Sequence, residues 1–184
     1  RGLGDVYKRQ VFHRLDPEME FEQVLSDGDR VKPGDVAFYV SGRLRSLLQA
    51  ERIILNIMQR MSGVATQTAV YVKRLEGLHT KVLDTRKTTP GMRVFEKAAV
   101  EIGGGSNHRY NLSTAVMLKD NHIDAAGGVA RAIEMARAHA SFTATVEIEC
   151  ENLDMVHEAV EAGADIIMFD NMTHCLLYTS PSPR

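Results

Sequence analysis

Val146-Glu147-Ile148-Glu149-Cys150, a helical stretch from Leu153 to Ala162 stopped by Gly163, and Ile166-Ile167-Met168-Phe169-Asp170-Asn171 together decide the fold. Two short apolar runs joined by a helix read as parallel strands with a crossover. Upstream the same unit recurs. Val116-Met117-Leu118-Lys119-Asp120-Asn121-His122 reads as a strand end followed by a helix over 128–139, and Lys81-Val82-Leu83-Asp84-Thr85-Arg86-Lys87 as a strand end followed by a helix over 93–101 with Gly103 as its stop. Four apolar runs that each break into Asp, Arg, Lys or Glu point to one polar mouth at the C-terminal ends of barrel strands.

Before residue 81 the character changes. Residues 11–42 read as short extended segments: Glu20 to Leu25, a turn at Ser26-Asp27-Gly28-Asp29, and Val36 to Val40. Leu44 to Leu75 reads as largely helical, with Leu47, Leu48, Ile54, Leu55, Met58 and Met61 mostly on three-, four- and seven-residue spacings, Met58 and Met61 packing as core, and a break expected at Ser62-Gly63. The expected architecture is α/β: an N-terminal α/β sandwich domain at 11–61, then an incomplete, TIM-like α/β barrel at 62–174 that ends after its fourth strand.

Residues 1–10 (RGLGDVYKRQ) and 175–184 (CLLYTSPSPR) are expected to lie outside both domains. One DNA element encodes the first in one orientation and the second in its reverse complement, out of frame, so both are read as adapter-derived tails around a fragment. The tails carry Arg1, Lys8, Arg9 and Arg184 against Asp5, a net +3, so the formal charge of −2 becomes −5 without them. That mildly acidic balance excludes a global basic field for nucleic acid. Without Cys175 a single cysteine, Cys150, remains, which fits a reducing, cytoplasmic setting. No apolar run approaches the roughly 18 residues of a membrane span.

The cations carry the strongest chemical signal. Arg86, Lys87, Arg109 and Lys119, with His108 beside Arg109, follow strand ends or a glycine-rich turn. Arginine forks pair with planar carboxylates and phosphates, so a polyanionic ligand is expected. Taken singly, each would be a solvated surface charge. Gly103-Gly104-Gly105 has two readings, a backbone cradle for an anion or a helix C-cap and link. Glu147, Glu149 and Glu151 alternate with apolar residues: either a solvated face or, with both faces of a barrel sheet covered, carboxylates lining the mouth with Asp170. Asp120, His122 and Asp124 lack a recognised metal-ligand spacing, and Asn121-His122 alternatively shapes the turn.

Glu51-Arg52-Ile53-Ile54-Leu55-Asn56, Ser62-Gly63-Val64-Ala65-Thr66, Asp84 through Gly91, Gly103 through Arg109, Lys119-Asp120-Asn121-His122 and Phe169-Asp170-Asn171 together resemble the quinolinate phosphoribosyltransferases, from Val11 to about Thr173. The resemblance implies transfer of phosphoribosyl from 5-phosphoribosyl-1-pyrophosphate to quinolinate with decarboxylation, giving nicotinate mononucleotide in NAD biosynthesis. It implies a homodimer in which Arg52 reaches the neighbouring site. It implies Arg86, His108, Arg109 and Lys119 around the quinolinate carboxylates, with Thr85 in the same run, and Lys87, Lys119, Glu149 and Asp170 facing the donor. Catalytic roles are expected for Lys87, Lys119, Glu149 and Asp170, and Mg2+ is expected to be held mainly through the donor's pyrophosphate. The fragment by itself is expected to be inactive. Two other readings stand beside this: a related enzyme acting on another anionic ring, and a non-enzymatic module, because Asp27 to Asp35 is similar to a hairpin of lipoyl and biotinyl domains but lacks their attachment turn.

Overall fold

The computed structural model describes residues 3–175, and side chains from residue 9 onward. Two compact units, Arg1–His108 and Arg109–Arg184, make up the chain.

The first unit begins with helix α1 (Leu3–Leu15), so helical backbone runs on from residues 3–10 and through 11–15 replaces the extended conformation expected from residue 11. Its anchor is Phe12, 4% exposed, which packs with Met19, Ala50 and Ile54. The ring of Phe21 lies 5.9 Å from that of Phe12 and 5.1 Å from that of Phe38. Arg9, assigned from sequence to a tail, sits over the Phe21 ring at 5.8 Å. Strands β1 (Glu20–Gln23) and β2 (Phe38–Ser41) pair antiparallel with Phe21 opposite Val40. Their alternation of half-buried and exposed residues is what a sheet with one covered face requires. Between them the expected turn closes through Asp29 N–H on the Ser26 carbonyl and Ser26 N–H on the Asp29 carboxylate.

Helix α2 (Leu44–Arg74) is continuous for 31 residues, without the break expected at Ser62-Gly63. Ala50, Ile54, Met61 and Thr68 are buried along it at spacings of four and seven, so one packed face spans the glycine. A single interior glycine costs about 1 kcal/mol, less than burial of Met61 alone returns. Helix α3 (Arg93–Ile102) packs Ala98 and Ala99 against Met61 and ends at Gly103. The strand expected at 81–84 shrinks to an isolated parallel bridge, Leu83 with Ser106. Its partner is the turn leaving α3, which offers two backbone bonds, Ser106 N–H to Val82 O and Asp84 N–H to Ser106 O, and no further ladder.

The second unit alternates as expected: β3 (Val116–Leu118), α4 (Asp120–Ala126), α5 (Val129–His139), β4 (Val146–Cys150), α6 (Leu153–Glu161) and β5 (Ile166–Phe169). The three strands form one parallel sheet in the order β3-β4-β5. Val146, Ile148 and Cys150 are fully buried in its centre against Ile133, Val156 and Ala159. Helix α4 stands where the sequence suggests a turn at Asn121-His122. It is only seven residues long and buries Ile123 alone, too little for a periodic signal, and Gly127 and Gly128, both at positive φ, separate it from α5. The fold is α/β, an antiparallel pair with helices followed by parallel βα units that do not close a barrel among the described residues.

Candidate active site

In the second unit Lys119 directly follows β3, Glu149 lies near the end of β4 and Asp170 directly follows β5. Strand register sets Leu118 beside Ile148 and Cys150 beside Phe169, so these three charged residues occupy the C-terminal ends of three neighbouring strands. Lys119 Nζ donates to Glu149 Oε1 at 2.6 Å. The Lys119 N–H donates to His122 Nδ1 at 3.0 Å, which ties the first turn of α4 to the lysine backbone. Asp170 is exposed and its N–H donates to the Cys150 carbonyl, anchoring the carboxylate beside β4. Arg109 donates through Nη1 to the Ala115 carbonyl at 3.0 Å, just ahead of β3.

Of the alternating glutamates, only Glu149 holds a strand-end position with access to solvent. Glu147 is 2% exposed within the sheet, and Glu151 is exposed beyond the strand. The acidic face is therefore neither wholly solvated nor wholly a mouth.

In the first unit Thr85, Arg86 and Lys87 form an irregular turn between the Leu83 bridge and α3. The Lys87 N–H donates to Thr85 Oγ1 and the Thr88 N–H to the Arg86 carbonyl. Arg86 Nε is buried without a hydrogen-bond partner, as is Asp84 Oδ2. A buried guanidinium donor left open is costly in a finished core and expected where a ligand completes it. Asp84 Oδ1 accepts from Lys97 Nζ at 2.5 Å and from the His108 N–H at 2.8 Å, and Lys97 Nζ also donates to the His108 carbonyl at 3.0 Å. Arg52 is exposed on α2.

The triple glycine serves packing. Gly103 caps α3, and a Cβ there would stand 2.5 Å from the Ala65 carbonyl; at Gly105 it would stand 2.8 Å from Val100 Cγ1. Gly104 adopts φ +87°. Close approach of α2 at Gly103, and of Val100 on α3 at Gly105, therefore requires glycine at both positions.

The sequence reading passed over Glu96, Lys97 and Arg60. Glu96 accepts from Arg60 Nε at 2.9 Å, from Thr89 Oγ1 at 2.8 Å and from the Thr89 N–H at 3.1 Å. Burial pushes its carboxyl up, but the Thr89 hydroxyl, Arg60 and the Thr89 N–H outweigh that and hold it below its ordinary value. The available signal was two adjacent charges in a ten-residue helix beside Ala98 and Ala99. Asp120, His122 and Asp124 lie on α4, and no three His, Cys, Asp or Glu side chains gather to hold a metal among the described residues.

The model of the quinolinate phosphoribosyl transferase N-terminal domain matches residues 6–62 and that of the C-terminal domain residues 64–179. A probable carboxylating nicotinate-nucleotide pyrophosphorylase of Synechocystis is 44% identical over 163 residues, covering 89% of this chain and 55% of the relative. The human carboxylating nicotinate-nucleotide pyrophosphorylase is 41% identical, with 91% of this chain and 57% of the relative covered. A crystal structure of NadC from Streptococcus pyogenes superposes with a TM-score of 0.89 at 49% identity, over 96% of this chain and 63% of that one. The chain thus spans little more than half the length of these curated relatives. Two domain models met in order along one chain, over a sheet whose neighbouring ends hold Lys119, Glu149 and Asp170, have one explanation: the chain belongs to the quinolinate phosphoribosyl transferase family.

Proposed function

We propose that the protein containing this chain transfers the phosphoribosyl group of 5-phosphoribosyl-1-pyrophosphate to quinolinate and releases carbon dioxide, forming nicotinate mononucleotide and pyrophosphate. The observation that carries the reading is the Lys119–Glu149 pair at 2.6 Å with Asp170 on the next strand end, cation and carboxylates at one edge of a parallel sheet. The open Arg86 Nε supports a planar dianion as acceptor, since an arginine fork binds carboxylates bidentately.

Arg86, His108, Arg109 and Lys119, with Thr85, would bind the two ring carboxylates, while Lys87, Lys119, Glu149 and Asp170 would face the donor. The ring nitrogen attacks C1 of the ribose, and the C1–O bond breaks with its electron pair leaving on pyrophosphate. Positive charge gathered at C1 is what Glu149 and Asp170 would stabilise. The alkylated ring, now a pyridinium, takes up the pair left when the C–COO bond breaks, and a proton then replaces the lost carboxylate. Holding two mutually repelling anions in reacting geometry is the main task of the cations.

A divalent cation, Mg2+, would offset leaving-group charge. It would be held mainly through the donor's pyrophosphate. Localisation would be cytoplasmic; no helix among the described residues is long and apolar enough to cross a membrane.

The domains would divide at 61 and 62, within α2; the matched family models end and begin nearby, at residues 62 and 64. A homodimer fits α2: Leu44, Leu48 and Arg52, four residues apart, are all exposed on one stripe, an apolar face with a cation at its end.

The test is carbon dioxide release from carboxyl-labelled quinolinate by the full-length gene product containing this sequence, with and without the donor. Release that requires the donor sustains the reading. A folded protein that instead consumes the donor only with nicotinate or another anionic ring transfers the assignment to that substrate.

A further inference from the structure

Helix α3 presents two adjacent charged residues, Glu96 and Lys97, to the two ends of one short segment. Lys97, 3% exposed, grips Asp84, two residues before Arg86, and Glu96, 8% exposed, grips Thr89, two residues after Lys87. Each grip is multiple. Lys97 Nζ bonds Asp84 Oδ1 and the His108 carbonyl, while Asp84 Oδ1 also takes the His108 N–H, so both backbone groups of His108 are held. Glu96 takes the Thr89 hydroxyl and N–H and the guanidinium of Arg60, which itself donates to Thr89 Oγ1 at 3.0 Å.

We propose that Glu96 and Lys97 are a paired clamp that sets the placement of Arg86 and Lys87, making them positioning residues for anion binding in this family's reaction; the binding consequence rests on the functional reading above. Four observations converge. Burying two opposite charges side by side in a helix costs desolvation that a stability role alone would meet more simply with apolar residues of the same size. Both charges are spent on the same six-residue segment, Asp84 to Thr89, instead of on one another. The segment itself lies in no strand, and the isolated Leu83–Ser106 bridge only borders it, so regular hydrogen bonding does not fix it. Between the gripped ends Arg86 keeps a buried Nε open and Lys87 stays exposed, so the clamp uses partners that leave the two cations available. A guanidinium held by its backbone at both sides loses less freedom when an anion arrives, which is the general gain from preorganisation.

The experiment compares Lys97→Met, Glu96→Gln and Lys97→Arg with the unaltered full-length gene product, reading amide hydrogen exchange by residue and calorimetric binding of quinolinate without donor. Met keeps the aliphatic stem of Lys97 and removes its charge and donors. Exchange at the His108 amide is expected to accelerate in Lys97→Met while β4 amides hold their protection. Quinolinate Kd is expected to rise about tenfold or more, with partial recovery in Lys97→Arg, because small misplacements of binding groups are amplified in affinity. Wild-type Kd and His108 exchange in a folded Lys97→Met protein overturn the clamp. Should Lys97→Met not fold, Glu96→Gln decides: faster Thr89 amide exchange with weaker binding upholds the clamp, and unchanged values overturn it. An unaltered protein that binds no quinolinate refutes the functional reading, and the clamp is then judged on the exchange pattern by itself.

Discussion

Lys119 and Glu149 meet at 2.6 Å across the ends of β3 and β4, which register pairs Leu118 with Ile148. Neighbouring parallel strands thus bring together a cation and a carboxylate 30 residues apart in sequence. The lysine side chain is 41% exposed and the glutamate 20%, so the pair is reachable and partly screened.

From that exposure the pair's contribution to stability is within about 1 kcal/mol. Its contribution to turnover is far larger if both groups meet reacting charge: Glu149→Gln and Lys119→Met are each expected to slow carbon dioxide release by the full-length gene product about 100-fold or more. Because the two act on one another, the double variant should be much less impaired than the product of the single effects. Steady-state kinetics with a urea titration of each variant check this. Near-normal turnover in Glu149→Gln would remove the glutamate from the mechanism.

Glycines on and beside α2 should respond with opposite signs. An alanine Cβ at Gly103 would lie 2.5 Å from the Ala65 carbonyl and 2.7 Å from Thr68 Cβ, so overpacking of about 1–3 kcal/mol is expected. At Gly63 nothing lies within 4 Å and the backbone is helical, so Gly63→Ala should stabilise by roughly 0.5–1 kcal/mol. Urea midpoints of the two variants decide. A neutral Gly103→Ala would mean that α2 and the α3 turn are not as close as 2.5 Å requires.

Local pattern explains what was legible and what was not. The parallel βα units of residues 116–169 announced themselves because each strand is an apolar run and the helix between the last two ends at Gly163. The placement of Lys119, Glu149 and Asp170 followed from the position of charge at the ends of those runs. Helix α4 was hidden because Asp120-Asn121-His122 are turn formers and only Ile123 is buried. The strand expected at 81–84 failed because a strand needs a partner, and its partner is a bent turn at Ser106. Nor could pattern reveal Lys97 with Asp84 or Glu96 with Arg60: the partners stand 13 and 36 residues apart and meet only once α2, α3 and the turn are packed. The glycine run carried two readings until its neighbours were known, and Thr68 and Ala65 on α2 supply the packing one.

Acid sensitivity should be traceable to Asp165. Arg137 donates to it, and the Val146 N–H donates to its Oδ2 at 2.7 Å, which together hold the carboxyl below its ordinary value. A depressed carboxyl stabilises the fold above the unfolded value of about 4 and loses that contribution as pH falls through the folded value. Asp165→Asn should therefore flatten the fall in urea midpoint below about pH 4, with Glu96→Gln acting in the same direction. An acid limb of unaltered steepness in both variants would assign the acid loss to other carboxylates.

Cys150 gives a probe of the second unit's core. It is fully buried at the end of β4, and burial pushes its thiol up to about 11. At pH 8 about one part in a thousand is then thiolate, the reactive form, and that fraction is shielded by Val156 and Ala159 as well. Cys175 is exposed. In the 184-residue chain an alkylating reagent at pH 8 should modify Cys175 quickly, while Cys150 reacts only as fast as the sheet opens and completely in denaturant. Mass spectrometry of the digested protein separates the two sites. Rapid modification of Cys150 without denaturant would mean that β4 is not covered on both faces, and the central place given to it in the parallel sheet would have to be withdrawn.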